Sequence, residues 1–308
     1  MDTDLDTLAV ALYVIVDDLL GRPTRRRPGH RPELSDSEVA CLAVAQVLLR
    51  CPSERLWLRV ARHRLGHLFP YLPQQAGYNK RLRACAPVLN RIMGQLALVT
   101  PSWCDLLRLF DATPVPCAAS REAVKRSALR GLADYGYCSS HSRHFWGFKL
   151  YLLCAPDGMP IAWCLASPKL GEREVAQALW DRTSIQPGQV ILCDKGFSGV
   201  LLEDLAAMLG ARVVRPDRKG EKPRFGPLAP IRQWIESVND TLKGQLSLEE
   251  HGGRTPHRRL RARRPTPAGD GGRHLVELAD RCPLQALAGR LRPLSWPPAA
   301  WNHSSSRR

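Results

Sequence analysis

From residue 106 to about residue 249 the chain alternates apolar strands with amphipathic helices, and two of the strands end on an aspartate. Leu106 to Pro116 reads as a strand. Phe145 to Cys154 and Pro160 to Ala166 read as a pair joined by the turn Pro156-Asp157-Gly158. A helix is expected over Glu172 to Thr183 and a short strand over Gln189 to Cys193. The helix Leu201 to Leu209, capped by Gly210, leads into the strand Arg212 to Arg215, and a long helix spans roughly Pro230 to Glu249. Three meandering strands followed by strand–helix alternation imply an α/β fold: one mixed sheet covered by helices.

Residues 1 to about 105 are of another texture. Leu5, Leu8, Leu12, Ile15 and Leu19 make one apolar helical face. An Arg/Pro loop, Gly21 to Pro32, carries Arg25, Arg26 and Arg27; Ser35-Asp36-Ser37-Glu38 is then a capping box that starts a helix running to about Arg50. Two more helices are expected over about Ser53 to Leu68 and Asn79 to Val99. Short basic helices suit a DNA-binding domain, though no spacing names a recognition helix, and a plain bundle with a solvated Arg face is the blander alternative. The division expected is therefore 1–105 helical, 106–254 α/β, and 255–308 a separate tail.

The 308 residues hold 45 Lys plus Arg against 29 Asp plus Glu, a net charge of +16. So much unneutralised charge points to a polyanion, either nucleic acid or the surface of an anionic membrane. The apolar run Leu8 to Val16 is too short to cross a membrane and lacks the flanks of a signal peptide, so no membrane partner is expected. The ten cysteines form no CxxC and sit in apolar stretches, as buried small hydrophobes in a reducing cytoplasm would. His141 and His144 lack partners at zinc-ligand spacing.

Three acids carry the chemistry. Asp111 closes the strand Leu109-Phe110, and Asp194 closes Val190-Ile191-Leu192-Cys193. Side chains at the carboxyl ends of neighbouring strands converge on the crevice where α/β proteins bind ligands. Two carboxylates brought together there must share a proton or a cation, and Mg²⁺ is the natural cation for oxygen ligands and phosphates. Glu236 stands on the long helix, with Arg232 four residues before it and Lys243 seven after, all on one helical face.

The order Asp111, Asp194, Glu236 on strand, strand and helix resembles the DDE transposases of bacterial insertion sequences, whose catalytic domain is an RNase H-like mixed five-stranded sheet flanked by helices. The Arg232-x3-Glu236-x6-Lys243 spacing is similar to their helix signature, although Ala229 stands where some have Tyr. Several stretches look like the nine-eighty-two insertion-sequence group: Pro70-Tyr71-Leu72-Pro73-Gln74-Gln75, Gly77-Tyr78-Asn79-Lys80-Arg81-Leu82, Tyr135-Gly136-Tyr137-Cys138, and Ile235 through Gln245. The similarity runs from residue 1 to about residue 255.

The resemblance implies two Mg²⁺ ions, with Mn²⁺ as a substitute, held by Asp111, Asp194 and Glu236. It implies DNA cleavage at the element's ends and attack of the freed 3′-hydroxyl on target DNA. Arg232, Lys243 and Lys195 would hold phosphates, and Arg25, Arg26 and Arg27 would contact DNA. The partner would be double-stranded DNA, bound by a homodimer on paired ends, and the setting cytoplasmic, at the nucleoid. Tyr135 and Tyr137 do not make a tyrosine recombinase, whose Arg and His-x-x-Arg companions are missing. The stretch from Arg121 to Lys149, with Arg126, Arg130 and Arg143, reads as DNA-contacting or strand-packing. Two alternatives stay open: an RNase H-like nuclease that cuts without joining, and an inactive DNA-binding remnant.

After Thr255 the periodicity is lost. The last 54 residues hold 11 Arg, no Lys, and only Asp270, Glu277 and Asp280 as acids, which is +8 of the +16. One reading is a disordered basic tail that holds DNA nonspecifically. The sharper one is a frameshift near residues 256–258. Permitted codons for residues 258–295, read one nucleotide later, give Gly-Val-Phe-Ala-Arg-Val-Ala-Gln-Arg-Leu-Leu-Ala-Met-Ala-Ala-Gly-Ile-Trp, an amphipathic helix. The same frame then yields Lys-Arg-Ser-Leu-Val-Ala-Tyr-Asp-His and permits a stop.

Overall fold

The computed structural model describes residues 4–250, apart from 22–32, 139–141, 182, 184, 198, 218–219, 223, 227 and 247. The Arg/Pro loop with Arg25, Arg26 and Arg27, His141, and the tail with its frame question lie outside the described residues.

Four helices come first: α1 (Leu5–Leu20), α2 (Asp36–Leu48), α3 (Glu54–Arg64) and α4 (Gln75–Val99). The capping box forms as the sequence dictates. Glu38 N donates to Ser35 Oγ at 3.1 Å, and Ser35 N donates to Glu38 Oε2 at 2.6 Å. Helix α4 starts four residues before the expected Asn79, with Gln74 as its extended cap. It runs through Pro87, which leaves the carbonyl of Arg83 without its helical donor. The four helices bury a core of their own around Val39, Leu42, Trp57, Leu58, Tyr78 and Leu89. Polar links fix their order: Ser37 Oγ donates to Asp17 at 2.7 Å, and Arg81 bridges Asp36 and the Leu34 carbonyl.

The remainder is a mixed sheet between helices. Its strands are β1 (Leu107–Ala118), β2 (Asp134–Cys138), β3 (Arg143–Cys154), β4 (Pro160–Ala166), β5 (Val190–Cys193) and β6 (Arg212–Val214). The order is β2-β3-β1-β5-β6, with β4 also on β3. Trp146 and Gly147 pair with β1 and β2 at once, and Lys149 to Cys154 pair with β1 and β4. The outer edge of β3 is therefore shared end to end by β2 and β4. The sheet has six strands but is five positions wide, with antiparallel β4-β3-β1 followed by parallel β1-β5-β6. That is the RNase H-like arrangement expected above. Gly147 sits where β1 bulges, and a Cβ there would run into the Val115 carbonyl oxygen.

Between β1 and β2 a short helix, α5 (Arg121–Arg126), was not legible in the sequence; α6 (Glu172–Trp180), α7 (Val200–Met208) and α8 (Ala229–Asp240) follow the expected order. One sheet face packs Phe110, Tyr151, Ile191 and Cys193 against α6 and α7, with Trp180 edge-on to Phe110 and Phe197 tilted against it. The opposite face packs Leu109, Leu152, Leu192 and Val214 against Ile235 and Val238 of α8. The long helix expected to Glu249 is shorter. It gives way to a π-helical turn over Thr241–Gln245, in which Leu246 N reaches back to Thr241 O at 3.0 Å. Gly244 in that turn lowers helical preference where the change occurs.

Candidate active site

The parallel register of β1 and β5 places the first two acids. Leu109 faces Leu192 and Phe110 faces Cys193, so Asp111 and Asp194 come next in register. Asp194 follows the last residue of β5 as expected, whereas Asp111 does not close its strand: it is the fifth of the twelve residues of β1, which runs on to Ala118 along β3 after β5 has ended. Neighbouring strands run about 4.8 Å apart. Side chains alternate along a strand, so both carboxylates fall on the side of Leu109 and Leu192, which is the side that α8 covers. Cys193, which pairs with Phe110 one position earlier, turns with it to the opposite face.

Helix α8 completes the group. Its apolar positions Ile235 and Val238, continued by Leu242 in the π-helical turn, sink into the core. Arg232, Glu236 and Asn239, at spacings of four and three, flank that buried stripe. Asn239 Nδ2 donates to Asp111 Oδ2 at 2.7 Å. Arg232 Nη2 lies 3.2 Å from Asp194 Oδ1 and 3.8 Å from Glu236 Oε1. The helix thus touches both aspartates, by a neutral amide at one and a guanidinium at the other.

The electrostatics follow from burial. Asp111 is pushed up to about 6, first because its carboxyl has lost solvent and then because Asp194 stands beside it. The Ala112 backbone N–H, the Asn239 amide and the Arg232 charge oppose the shift. Asp194 and Glu236 are more open, with 47% and 59% of their side chains exposed.

The donor set suits a hard divalent cation, since it is oxygen only and one buried carboxylate lacks enough positive charge. Asp111 and Asp194 form the pair that fits such an ion. Among the described residues no three His, Cys, Asp or Glu side chains are gathered around one point that could hold a metal ion. Glu236 stands on the far side of Arg232, whose guanidinium is the cation between it and Asp194.

Of the other candidates, Lys195 is exposed in the short turn Lys195–Phe197 directly after Asp194. Lys243 lies half-buried in the π-helical turn, so the seven-residue spacing no longer sets it squarely above Glu236, and it forms no ion pair with the three acids. Lys149 is committed to Glu172 at 2.8 Å. Tyr135 and Tyr137 are half-exposed on β2, whereas Phe145, Trp146 and Phe148 are core, so the aromatic stretch divides between surface and packing. Asn239 is the site residue that the sequence did not disclose. Its only signal was its place three after Glu236 and seven after Arg232.

Among the described residues no helix is long and apolar enough to cross a membrane. No protein-family model and no curated protein matches the sequence. Among solved structures, a cryo-EM structure of a piggyBac transposase synaptic complex with hairpin DNA is similar at a TM-score of 0.38 and 10% sequence identity. The match covers 71% of this chain and 52% of that one, so this chain spans about half the length of that protein's chain.

Proposed function

We propose that the chain is a transposase of the bacterial insertion-sequence type, which cuts DNA at element ends and joins the freed 3′-hydroxyl to target DNA. One observation carries this reading: Asp111 and Asp194 stand level on adjacent parallel strands beneath a helix that brings Arg232, Glu236 and Asn239 to them. Asp111 and Asp194 would hold the divalent ions, joined by Glu236 once Arg232 withdraws. Bound there, two Mg²⁺ ions would polarise the phosphate and lower the pKa of the attacking water.

The chain's own residues do the rest. Asn239 orients Asp111 by donating to its Oδ2, and the Ala112 N–H bonds the same carboxylate. Arg232 is the cation that a DNA phosphate can draw away from Asp194 and Glu236. Lys195 and Lys243 flank this end of the sheet and would contact phosphates of the same strand. Water then attacks phosphorus as the 3′-oxygen leaves with its bonding pair and takes a proton. The 3′-hydroxyl attacks a target phosphodiester in the same way, and no covalent link to the protein and no ATP is needed. In the same reading residues 1–105 bind DNA, residues 106–254 carry the chemistry, and two copies hold paired ends.

The test is a strand-transfer assay with a pre-cleaved duplex, plasmid target and Mg²⁺. Joined product that Asp111→Ala and Asp194→Ala abolish supports the proposal. Nicking without joining favours the nuclease. DNA binding without cleavage, unchanged in either variant, favours the inactive remnant, a reading to which the incomplete gathering of the three acids lends weight.

A further inference from the structure

Helix α3 is divided sharply between core and solvent. Trp57, Leu58, Ala61 and the inward-turned Glu54 are buried, and Leu65 continues the stripe. The opposite face presents Arg55, Leu56, Arg59 and His63, all exposed, at positions i, i+1, i+4 and i+8. These positions span about 12 Å of helix. No carboxylate interrupts the face. Glu54 points into the bundle, where Asn79 Nδ2 donates to both of its oxygens at 2.8 and 3.0 Å. Leu56 is 42% exposed in the middle of the cationic surface, which core packing does not explain.

The approach to α3 is built as a tight turn. Arg50 takes a left-handed φ of 50°, which lets the chain reverse between α2 and α3. Cys51 N donates to Gln46 O at 3.0 Å, Gln46 Nε2 returns a bond to Cys51 O at 3.0 Å, and Tyr78 Oη of α4 donates to Gln46 Oε1 at 3.2 Å. At the other end Arg62 donates to the carbonyls of Leu72 and Pro73, tying α3 to the entry of α4. The basic face is thereby held rigidly outward at both ends.

We propose that α3 is the helix that enters the major groove of duplex DNA, with the turn at Leu49–Ser53 crossing the backbone. A helix is about as wide as the 12 Å groove. Arg55 and Arg59 have the fork geometry for guanine O6 and N7 or for phosphates, and Leu56 suits the methyl group of thymine. The polyanion is the occupant that matches a face of this charge. The inference rests on the DNA reading proposed above and assigns it to the outward face of α3.

The experiment is fluorescence anisotropy of the full chain with 40-bp duplexes tiled across the DNA that flanks its coding region, plus one of scrambled sequence, over a salt series. The double variant Arg55→Ala/Arg59→Ala should bind at least about tenfold more weakly, and its salt slope should fall by about 2. Arg55→Lys/Arg59→Lys should keep the slope and lose the preference for a flanking duplex over the scrambled one. Leu56→Ala should likewise keep the slope and narrow that preference. An alanine variant that melts like the wild type and binds every duplex with unchanged affinity and slope overturns the assignment while leaving the DNA reading intact. The assignment also fails if that variant changes sedimentation rather than DNA binding, since the face then joins two copies. A wild type that binds none of the duplexes sinks both.

Discussion

Replacing Asp111 by Asn should make the metal-free protein more stable while abolishing its chemistry. Asp111 is raised from an ordinary 3.8 to about 6 because its carboxyl is buried beside Asp194. The folded chain therefore holds that proton more tightly than the unfolded chain does. Stability is greatest below pH 4 for this group and declines as the pH rises through 6, where the folded protein must carry a charge it solvates poorly. Two pKa units correspond to about 3 kcal/mol, an upper limit at neutral pH. Asn keeps the shape, still accepts the Asn239 N–H through its oxygen, and can donate to Asp194. In EDTA at pH 7.5 the Asp111→Asn variant should melt roughly 4–10 °C above the wild type by scanning calorimetry. At pH 4 the two should coincide. Millimolar Mg²⁺ should raise the wild type selectively, because only the carboxylate gains a ligand. A variant that melts at or below the wild type at pH 7.5, or a gap that persists unchanged at pH 4, would falsify the account of this site as an under-compensated carboxylate pair.

Three other outcomes are expected. Asn239→Ala removes a bond that favours the ionised form of Asp111, so the pH profile of Mg²⁺-dependent nicking should move to higher pH, and the metal-free variant should melt slightly below the wild type at pH 7.5. Arg215, 6% exposed, is held by both oxygens of Glu221 at 2.8 and 3.1 Å, but Glu221 is exposed and keeps Arg224 at 3.9 Å; Arg215→Met should therefore cost no more than about 1 kcal/mol in urea unfolding. The coding nucleotides for residues 258–295 should encode the amphipathic helix and a stop in the +1 frame, and stops scattered through that frame would end the frameshift proposal.

The acids were legible because each stands beside something periodic. Asp194 follows the last residue of an apolar strand and Glu236 lies beside a helical stripe, whereas Asp111 interrupts the apolar run of β1 without ending it, since the strand continues to Ala118. What period cannot give is register. That Phe110 meets Cys193, and hence that the aspartates lie level, is a fact of strand pairing. Strand β2 escaped notice because Gly136 interrupts its five residues. The glycine is there for space, since a Cβ would crowd the Phe145 ring and Pro168, neither of which is near in sequence. Asn239 escaped because an amide on a helix has no spacing signature of its own partner, here 128 residues away. The end of α8 was misjudged because a π-helical turn continues the apolar positions Leu242 and Leu246 without keeping the α-helical path.

The charges of the site and of α3 divide the work between them. Three carboxylates and the one guanidinium that bridges two of them leave the acid cluster itself negative even with Asp111 partly protonated, with Lys195 and Lys243 at its margin. A DNA phosphate brought there meets repulsion until divalent cations enter or Arg232 turns from the acids to the phosphate. The outward face of α3 has no acid at all and needs no such compensation. Association through α3 should therefore depend steeply on monovalent salt and hardly on Mg²⁺, whereas protection of the scissile phosphate in footprinting should require Mg²⁺. In Asp111→Asn/Asp194→Asn the repulsion is gone, and that protection should appear without metal. If it still requires Mg²⁺ in the double variant, the carboxylates are not what holds the phosphate away, and Arg232 rather than the acid pair governs entry to the site.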